Sequence, residues 1–450
     1  MENKQKNYIF LILIHVAIGF VIYLLPFMSK IYGYGILLGG IYLVVKTRNS
    51  NNQVLYVAAY IIGSEVFLRM TDGNPNYEFA KYSVMLFAVM GMFYSGFSKN
   101  AIPYWIFLLL LIPSVVIATA VLNDTNTDIR KMIAFNISGS VCLGIASIYA
   151  YNKKISIEAM NNILLVMGLP IISCAVYLLF YTPNIKDVLT GTGSSYELSG
   201  GFGPNQVATV LGLGMFVFFS RLILASKTKL LFSVNLIIAV YISYRGMLTF
   251  SRGGMVTGFA MIIAFLLFVY FNSKYQGKIK LNFMIVFLFI SMASIWMVTS
   301  YQTGGLIDKR YANKDALGRV KKDKFSGREQ IAETEINMFL ENPVFGVGVA
   351  KGTEIRSKEI GSLTTSHDEI TRMLAEHGTF GILALLILIL TPLILYIDNK
   401  QHIYLFSCLI FWFLTINHAA MRTAAPAFIY ALTLLKVKFK DETMSVVDRE

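Results

Sequence analysis

The chain has 450 residues, 56% of them hydrophobic and only 14% charged, and its 39 Lys and Arg against 26 Asp and Glu give a formal net charge of +13. Apolar runs of about 20 residues recur between short polar breaks, the length a helix needs to cross the hydrocarbon layer, so the chain reads as an all-α polytopic transmembrane helical bundle and not as a soluble domain. The cationic excess raises nucleic acid as a partner, but no helix-turn-helix, RNP or zinc pattern accompanies it, and nucleic acid is excluded.

In chain order, candidate spans begin near Tyr8, Ile31, Val54, Lys81, Ile102, Met132, Ile163, Asn205, Leu230, Gly254, Leu281, Gly378, Ile403 and Ala424. These make about 12–14 crossings, the Ile31 and Ala424 runs having the weakest pattern. One alternate set of loops carries Lys4 and Lys6, Lys46 and Arg48, Lys99, Lys153 and Lys154, Lys227 and Lys229, Lys274 to Lys280, Lys400, and Lys436 to Lys440. By the positive-inside rule these loops are cytoplasmic, and so are both termini. The first apolar run has no small-residue cleavage pattern and reads as an uncleaved span. Cys142, Cys174 and Cys408 all fall inside spans and read as small apolar residues.

Two outward loops have substance. The first, residues 182–203, holds Gly191-Thr192-Gly193-Ser194-Ser195 and Gly200-Gly201-Phe202-Gly203 before Pro204, which suits a helix's first turn. The second, residues 301–371, is the longest polar stretch. There Ser326-Gly327-Arg328-Glu329 has the capping-box form and predicts a helix through Ile331, Ile336 and Phe339 that Asn342-Pro343 ends. A glycine-spaced bend follows at Gly346-Val347-Gly348. Ser366-His367-Asp368-Glu369 is a second capping box, and its helix is interrupted at Gly378.

Eight cations fall on the face that the positive-inside rule disfavours: Lys81, Arg130, Lys131, Arg245, Arg252, Arg328, Arg372 and Arg422. Several sit at helix N-termini, where the positive dipole end makes a cation unfavourable twice over unless an anion receives it. Helix N–H groups and the bidentate guanidinium fork both suit phosphate, so the expected ligand bears a diphosphate on a polyprenyl-linked sugar. The plainer reading is that such cations snorkel to head groups, and that Arg372 pairs with Asp368 and Glu376 on its own helix. Glu65, Arg69, Glu78 and Lys81 read as a structural ion-pair cluster.

Of five histidines, His367 is membrane-proximal and at a predicted helix start, where the dipole favours the neutral imidazole that accepts a proton. His377 competes with it; His402 is on the cytoplasmic side, and His15 and His418 lie inside spans. Asp124 to Asp128 imitates a calcium loop, but Ile129 replaces the needed Gly and Phe135 the bidentate Glu. Gly346, Gly348 and Gly352 miss the dinucleotide spacing, and no Walker A or H-E-x-x-H motif is present. A metal-independent, cofactor-free reaction is expected, with cations neutralising a leaving diphosphate.

Ser326-Gly327-Arg328, Asn342-Pro343-Val344-Phe345-Gly346-Val347-Gly348, Ser366-His367-Asp368-Glu369 and Leu374-Ala375-Glu376-His377-Gly378-Thr379-Phe380-Gly381 resemble the signature region of the O-antigen ligase and O-antigen polymerase superfamily. Thr249-Phe250-Ser251-Arg252-Gly253-Gly254, Gly203-Pro204-Asn205-Gln206 and Phe135-Asn136-Ile137-Ser138-Gly139 resemble further recurring segments of it. The resemblance implies a bundle like those of lipid-linked glycosyltransferases, with one long periplasmic helical loop. It also implies transfer of a glycan en bloc from undecaprenyl diphosphate to an acceptor glycan or lipid-A core hydroxyl outside the bacterial inner membrane, without metal. Arg252 and Arg328 match the family's diphosphate-binding arginines and His367 its catalytic histidine, expected here as the base; Lys131, Arg245, Arg372 and Arg422 are expected as further phosphate or glycan contacts. Asp368 stands where the family often has Asn. The expected organisation is a transmembrane bundle over 1–300, a periplasmic catalytic loop over 301–371, C-terminal transmembrane helices over 372–440 and a cytoplasmic tail over 441–450. The other class considered is a non-enzymatic polysaccharide flippase or exporter, whose charges would spread through mid-membrane positions instead of gathering at outer ends.

Overall fold

A spanning backbone in hydrocarbon has no partner but itself, and the apolar runs accordingly become helices. The computed structural model describes residues 2–122, 128–182, 184–189, 191–321, 328–360 and 366–439. Its first half contains α1 (Glu2–Leu24), α2 (Met28–Thr47), α3 (Gln53–Met70), α4 (Phe79–Ser95), α5 (Ile102–Leu110), α6 (Ile112–Val121), α7 (Ile129–Ala150), strand β1 (Lys154–Ser156), α8 (Ile157–Tyr181) and α9 (Ile185–Val188). There follow α10 (Pro204–Leu224), α11 (Lys229–Leu248), α12 (Arg252–Asn272), α13 (Tyr275–Gln302), α14 (Leu306–Tyr311), α15 (Arg328–Glu341), α16 (Lys351–Ile360), α17 (Glu369–Ile397), α18 (Leu405–His418), α19 (Ala425–Leu432) and strand β2 (Lys436–Lys438). Among the described residues, eleven helical stretches are long and apolar enough to cross a membrane, α5 and α6 together forming one of them, and α4 and α18 are apolar but shorter. The chain is an all-α, multi-pass membrane protein.

The lysine-bearing loops meet at one end of the bundle. There β1 and β2 pair in parallel, Lys154 opposite Lys436, Asn49 bonds Ser95 and Tyr149, and Lys153 reaches Ser95 at 2.8 Å. The long polar segment between α13 and α17 lies at the other end. Within it α15 and the break in α17 stand where the capping box and Gly378 predict them. The short helices α14 and α16 carry no such signal and are additions to the sequence reading.

Two local features position the site. First, α12 is pressed backbone to backbone against α10: a Cβ on Gly212 would lie 2.2 Å from the Gly254 oxygen, and one on Gly258 2.4 Å from the Gly212 oxygen. Small residues spaced by four allow this approach and fix where the α12 N-terminus, hence Arg252, emerges. Second, α18 and α19 have only 14 and 8 residues against 21 in α12 and 22 in α7, on which they pack. At about 1.5 Å per residue the pair falls far short of its neighbours. The turn between them, Ala419 to Ala424, is therefore sunk within the bundle, and Glu65 Oε2 holds it there by accepting the Ala424 N–H at 2.8 Å.

Candidate active site

At the end opposite the paired strands, α4, α7, α10, α16, α17 and the sunken turn enclose a polar cavity of about 170 Å³. Four cations line it: Lys81 of α4, Arg356 of α16, Arg372 of α17 and Arg422 of the turn. Among the described lining residues none is acidic; the carboxylates stand behind the cations. Lys81 Nζ lies 2.6 Å from Glu78 and donates to Ser138 Oγ at 3.1 Å. Arg372 pairs with Glu369 and donates to both the backbone and side-chain oxygens of Asn136 at 3.2 Å. Arg422 Nη2 donates to the Ser366 carbonyl at 3.2 Å. Desolvating ions costs several kcal/mol each and is tolerated only where partners and hydrogen bonds compensate, so these pairs hold the cations pointed inward.

Glu335 of α15 anchors the wall. Its carboxylate is wholly buried and accepts from Arg356, from Thr371 Oγ1 and from Ser366 Oγ at 3.3 Å, thereby tying α15, α16 and the start of α17 together. Burial raises the Glu335 carboxyl above its ordinary range, with Arg356 opposing that shift. Burial likewise lowers the Arg356 guanidinium, and Glu335 opposes it. Each ion is kept charged by the other.

His367 sits at the edge of this cavity, between the lining residue Ser366 and the α17 cap. It is half-buried, and its carbonyl accepts the Ala420 N–H at 3.1 Å, which fastens it to the sunken turn. Asp368 acts as the N-cap, its Oδ1 accepting the Ile370 N–H at 2.8 Å. Burial raises its carboxyl, and the Ile370 and Thr371 N–H groups oppose the shift. The competing histidine, His377, is deeply buried with Nδ1 2.6 Å from Ser114 Oγ, and it does not line the cavity.

Arg252 occupies a neighbouring place. It is the first residue of α12, whose cap residue Ser251 makes no side-chain cap bond, so the first-turn N–H groups face outward without one. Arg252 Nη1 lies 3.5 Å from the Arg310 carbonyl, while Arg310 donates to Phe250 O at 2.9 Å and to Ser194 Oγ at 3.3 Å. Beside them Tyr311 and Trp296 cap an apolar cleft of about 150 Å³. The cleft shares Met215, Phe259 and Met292 with a second of about 180 Å³ between α10, α11, α12 and α13. Asn205 links the two places: it accepts from Ser251 Oγ at 2.7 Å, and the next residue, Gln206, lines the polar cavity.

The other expected contacts lie elsewhere. Lys131 has an 84% exposed side chain 3.9 Å from Asp128. Arg245 is buried and donates to Leu178 O at 2.8 Å, in the last turn of α8, where a cation complements the helix dipole. Arg328 opens α15, but its side chain and the capping residues Ser326 and Gly327 lie outside the described residues, as do Asp124 to Thr127 of the calcium-like run. Arg356, Arg310 and Gln206 are the contributors that the sequence reading lacked. Among the described residues no three His, Cys, Asp or Glu group so as to hold a metal.

Residues 236–386 match the sequence pattern of the family described as O-antigen ligase. This segment contains Arg245, Arg252, Arg310, Arg328, Arg356, His367 and Arg372; Lys81, Lys131 and Arg422 lie outside it. A ligase- or polymerase-type activity is what that match supports. The chain is also 26% identical over 188 residues, 38% of its length, to a Haemophilus influenzae protein described as uncharacterized, and spans 45% of that relative.

Proposed function

We propose that this protein is a glycosyltransferase that moves a glycan en bloc from undecaprenyl diphosphate to an acceptor hydroxyl, on the lipid-A core or a growing chain, at the outer side of the bacterial inner membrane. Both termini are then cytoplasmic, residues 301–371 form the periplasmic catalytic loop, and the flanking segments 1–300 and 372–440 form the membrane bundle. The observation that carries this reading is the cavity itself: Lys81, Arg356, Arg372 and Arg422 come from distant stretches of chain to one place beside His367, at the end away from the lysine-rich loops.

In this mechanism Arg252 and the open first turn of α12 grip the diphosphate, with Arg328 as the second guanidinium. Neutral His367 takes the proton of the acceptor hydroxyl as its oxygen attacks the anomeric carbon from the face opposite the phosphate, which inverts the configuration. The C–O bond to phosphate breaks with its electron pair on the departing undecaprenyl diphosphate. The arginines neutralise that charge in place of a metal. His367 then returns its proton to solvent.

A flippase or exporter would need a path beneath the cavity. It would carry the glycan along that path with its diphosphate bond intact, whereas a transferase breaks that bond. In proteoliposomes supplied with the carrier-linked glycan, Arg252→Lys and His367→Ala should each lower transfer by about 10²–10³-fold, the size of losing one charge-stabilising or proton-transferring group. Full transfer by either variant refutes the assignment, since a planar fork and a titratable ring are the properties invoked.

A further inference from the structure

The polar cavity and the Arg252 site differ in chemistry. Arg252 and Arg310 stand over apolar clefts, as suits a lipid diphosphate, whereas the cavity has no such cleft among its lining residues. Instead the rings of Tyr77 and Phe135 lie on its wall, 5.7 Å apart and tilted by 42°, and they are 63% and 44% exposed. Lys81 Nζ is 5.8 Å from the Phe135 ring. An electron-rich ring face is complementary to the C–H face of a pyranose, and cations beside it to an anionic substituent.

Two buried polar atoms at the cavity have no hydrogen-bond partner among the described residues: Arg372 Nε, a donor, and Gln206 Oε1, an acceptor. Buried polar groups are almost always paired, so a ligand that supplies an acceptor and a donor together is indicated. A diphosphate offers acceptors alone; a sugar acid offers an anionic oxygen and hydroxyl groups. The volume, about 170 Å³, is below the 300–1,000 Å³ or so typical of larger ligands and suits one ring.

We propose that this cavity is a subsite for one acidic pyranose, bearing a carboxylate or a phosphate, on the acceptor glycan. Arg372 and Arg422 take the anion, Gln206 accepts from a ring hydroxyl, and Tyr77 and Phe135 cover the C–H face. The assignment to the acceptor rests on the transfer reading above, because the sugar held here lies next to His367.

The test is saturation-transfer NMR on the full chain in nanodiscs, with glucuronic acid, glucose 6-phosphate and glucose as observed probes and inorganic phosphate, which has no C–H protons, as a competitor whose affinity is read from displacement. Both acidic sugars should bind with the strongest saturation on ring C–H protons, and glucose should not at equal concentration. Arg422→Gln and Tyr77→Ala should each weaken binding tenfold or more, whereas Arg252→Gln should change it less than twofold; Tyr77 is mostly exposed, so its replacement leaves folding intact. Glucuronic acid binding alone, or glucose 6-phosphate alone, would assign the anion as carboxylate or phosphate and uphold the subsite. Equal binding of glucose, binding of inorganic phosphate as tight as that of both acidic sugars, or an equal loss in Arg252→Gln would overturn it. Binding is read without turnover, so failure here and failure of the transfer reading are separately visible.

Discussion

Replacing Gly378 by Ala strikes the point where the candidate site is held in register. Gly378 interrupts α17 at φ 59° and ψ −138°, a region essentially reserved for glycine. The carbonyls freed by the break are taken up by the glycine-spaced bend: Val347 N–H bonds Ala375 O at 2.9 Å, Gly348 N–H bonds Glu376 O at 3.2 Å, and Thr379 N–H returns to Pro343 O at 2.7 Å. A Cβ on Gly378 would lie 2.6 Å from Gly346 N and 2.7 Å from Pro343 O, both backbone atoms that have nowhere to move. Backbone strain of about 1–3 kcal/mol, with the loss of two seam hydrogen bonds at about 1 kcal/mol each, gives about 3–5 kcal/mol. Confined to the seam, that opens it about 10²–10⁴-fold more often. Arg372 stands on the same half-helix, and Glu376 Oε1 holds Ala350 at 3.1 Å, so the cavity wall loosens with it. Hydrogen exchange by mass spectrometry on the full chain should show faster exchange over 343–349, with a matching fall in transfer. Gly39→Ala on α2, where a Cβ meets nothing within 4 Å, should leave both unchanged. Wild-type exchange and transfer in Gly378→Ala would refute the reasoning.

Glu335→Gln should cost about 3–5 kcal/mol in chemical denaturation, because it leaves Arg356 buried without its counter-charge, and Glu335→Leu combined with Arg356→Met should recover most of that loss. His402 sits outside the spans, fully buried, with Nε2 2.8 Å from Leu432 O, and burial lowers its pKa from 6.5 to about 4. A base lowered in the folded state contributes stability that is complete above pH 6.5 and lost as pH falls toward 4. Up to about 3 kcal/mol should disappear across that window, and His402→Gln should flatten the dependence. Arg245→Met should lower stability by about 1–3 kcal/mol through the lost bond to Leu178 O while leaving the KM for donor unchanged; a raised KM would make Arg245 a substrate contact.

The crossings were legible because lipid forces every spanning backbone to be apolar and self-bonded. The depth of the site was not: the Ile403 run read as an ordinary span and the Ala424 run as a weak one, and neither shows that Ala419 to Ala424 is sunk and held there by Glu65 of α3. Arg372 and Arg422 stood out as cations at outward helix starts. Glu65, Arg69, Glu78 and Lys81 read as an ion-pair cluster, and they do pair. Nothing local shows that Lys81 also faces the cavity, since the opposite wall arrives from α16 and α17. Arg356 was illegible because Lys351-Gly352-Thr353-Glu354-Ile355-Arg356 has the mixed charge of an exposed helix, and its partner Glu335 is fixed only by tertiary packing. The Asn342-to-Gly348 motif was legible as a bend, but its purpose, satisfying the carbonyls released at Gly378, required both segments together.

Supplying the purified chain in proteoliposomes with carrier-linked glycan and acceptor, and following carrier, glycan and leaflet together, tests the central claim most directly. Each new glycosidic bond should be matched by one free undecaprenyl diphosphate. Carrier-linked glycan that changes leaflet with its diphosphate bond intact and no new bond made would contradict it.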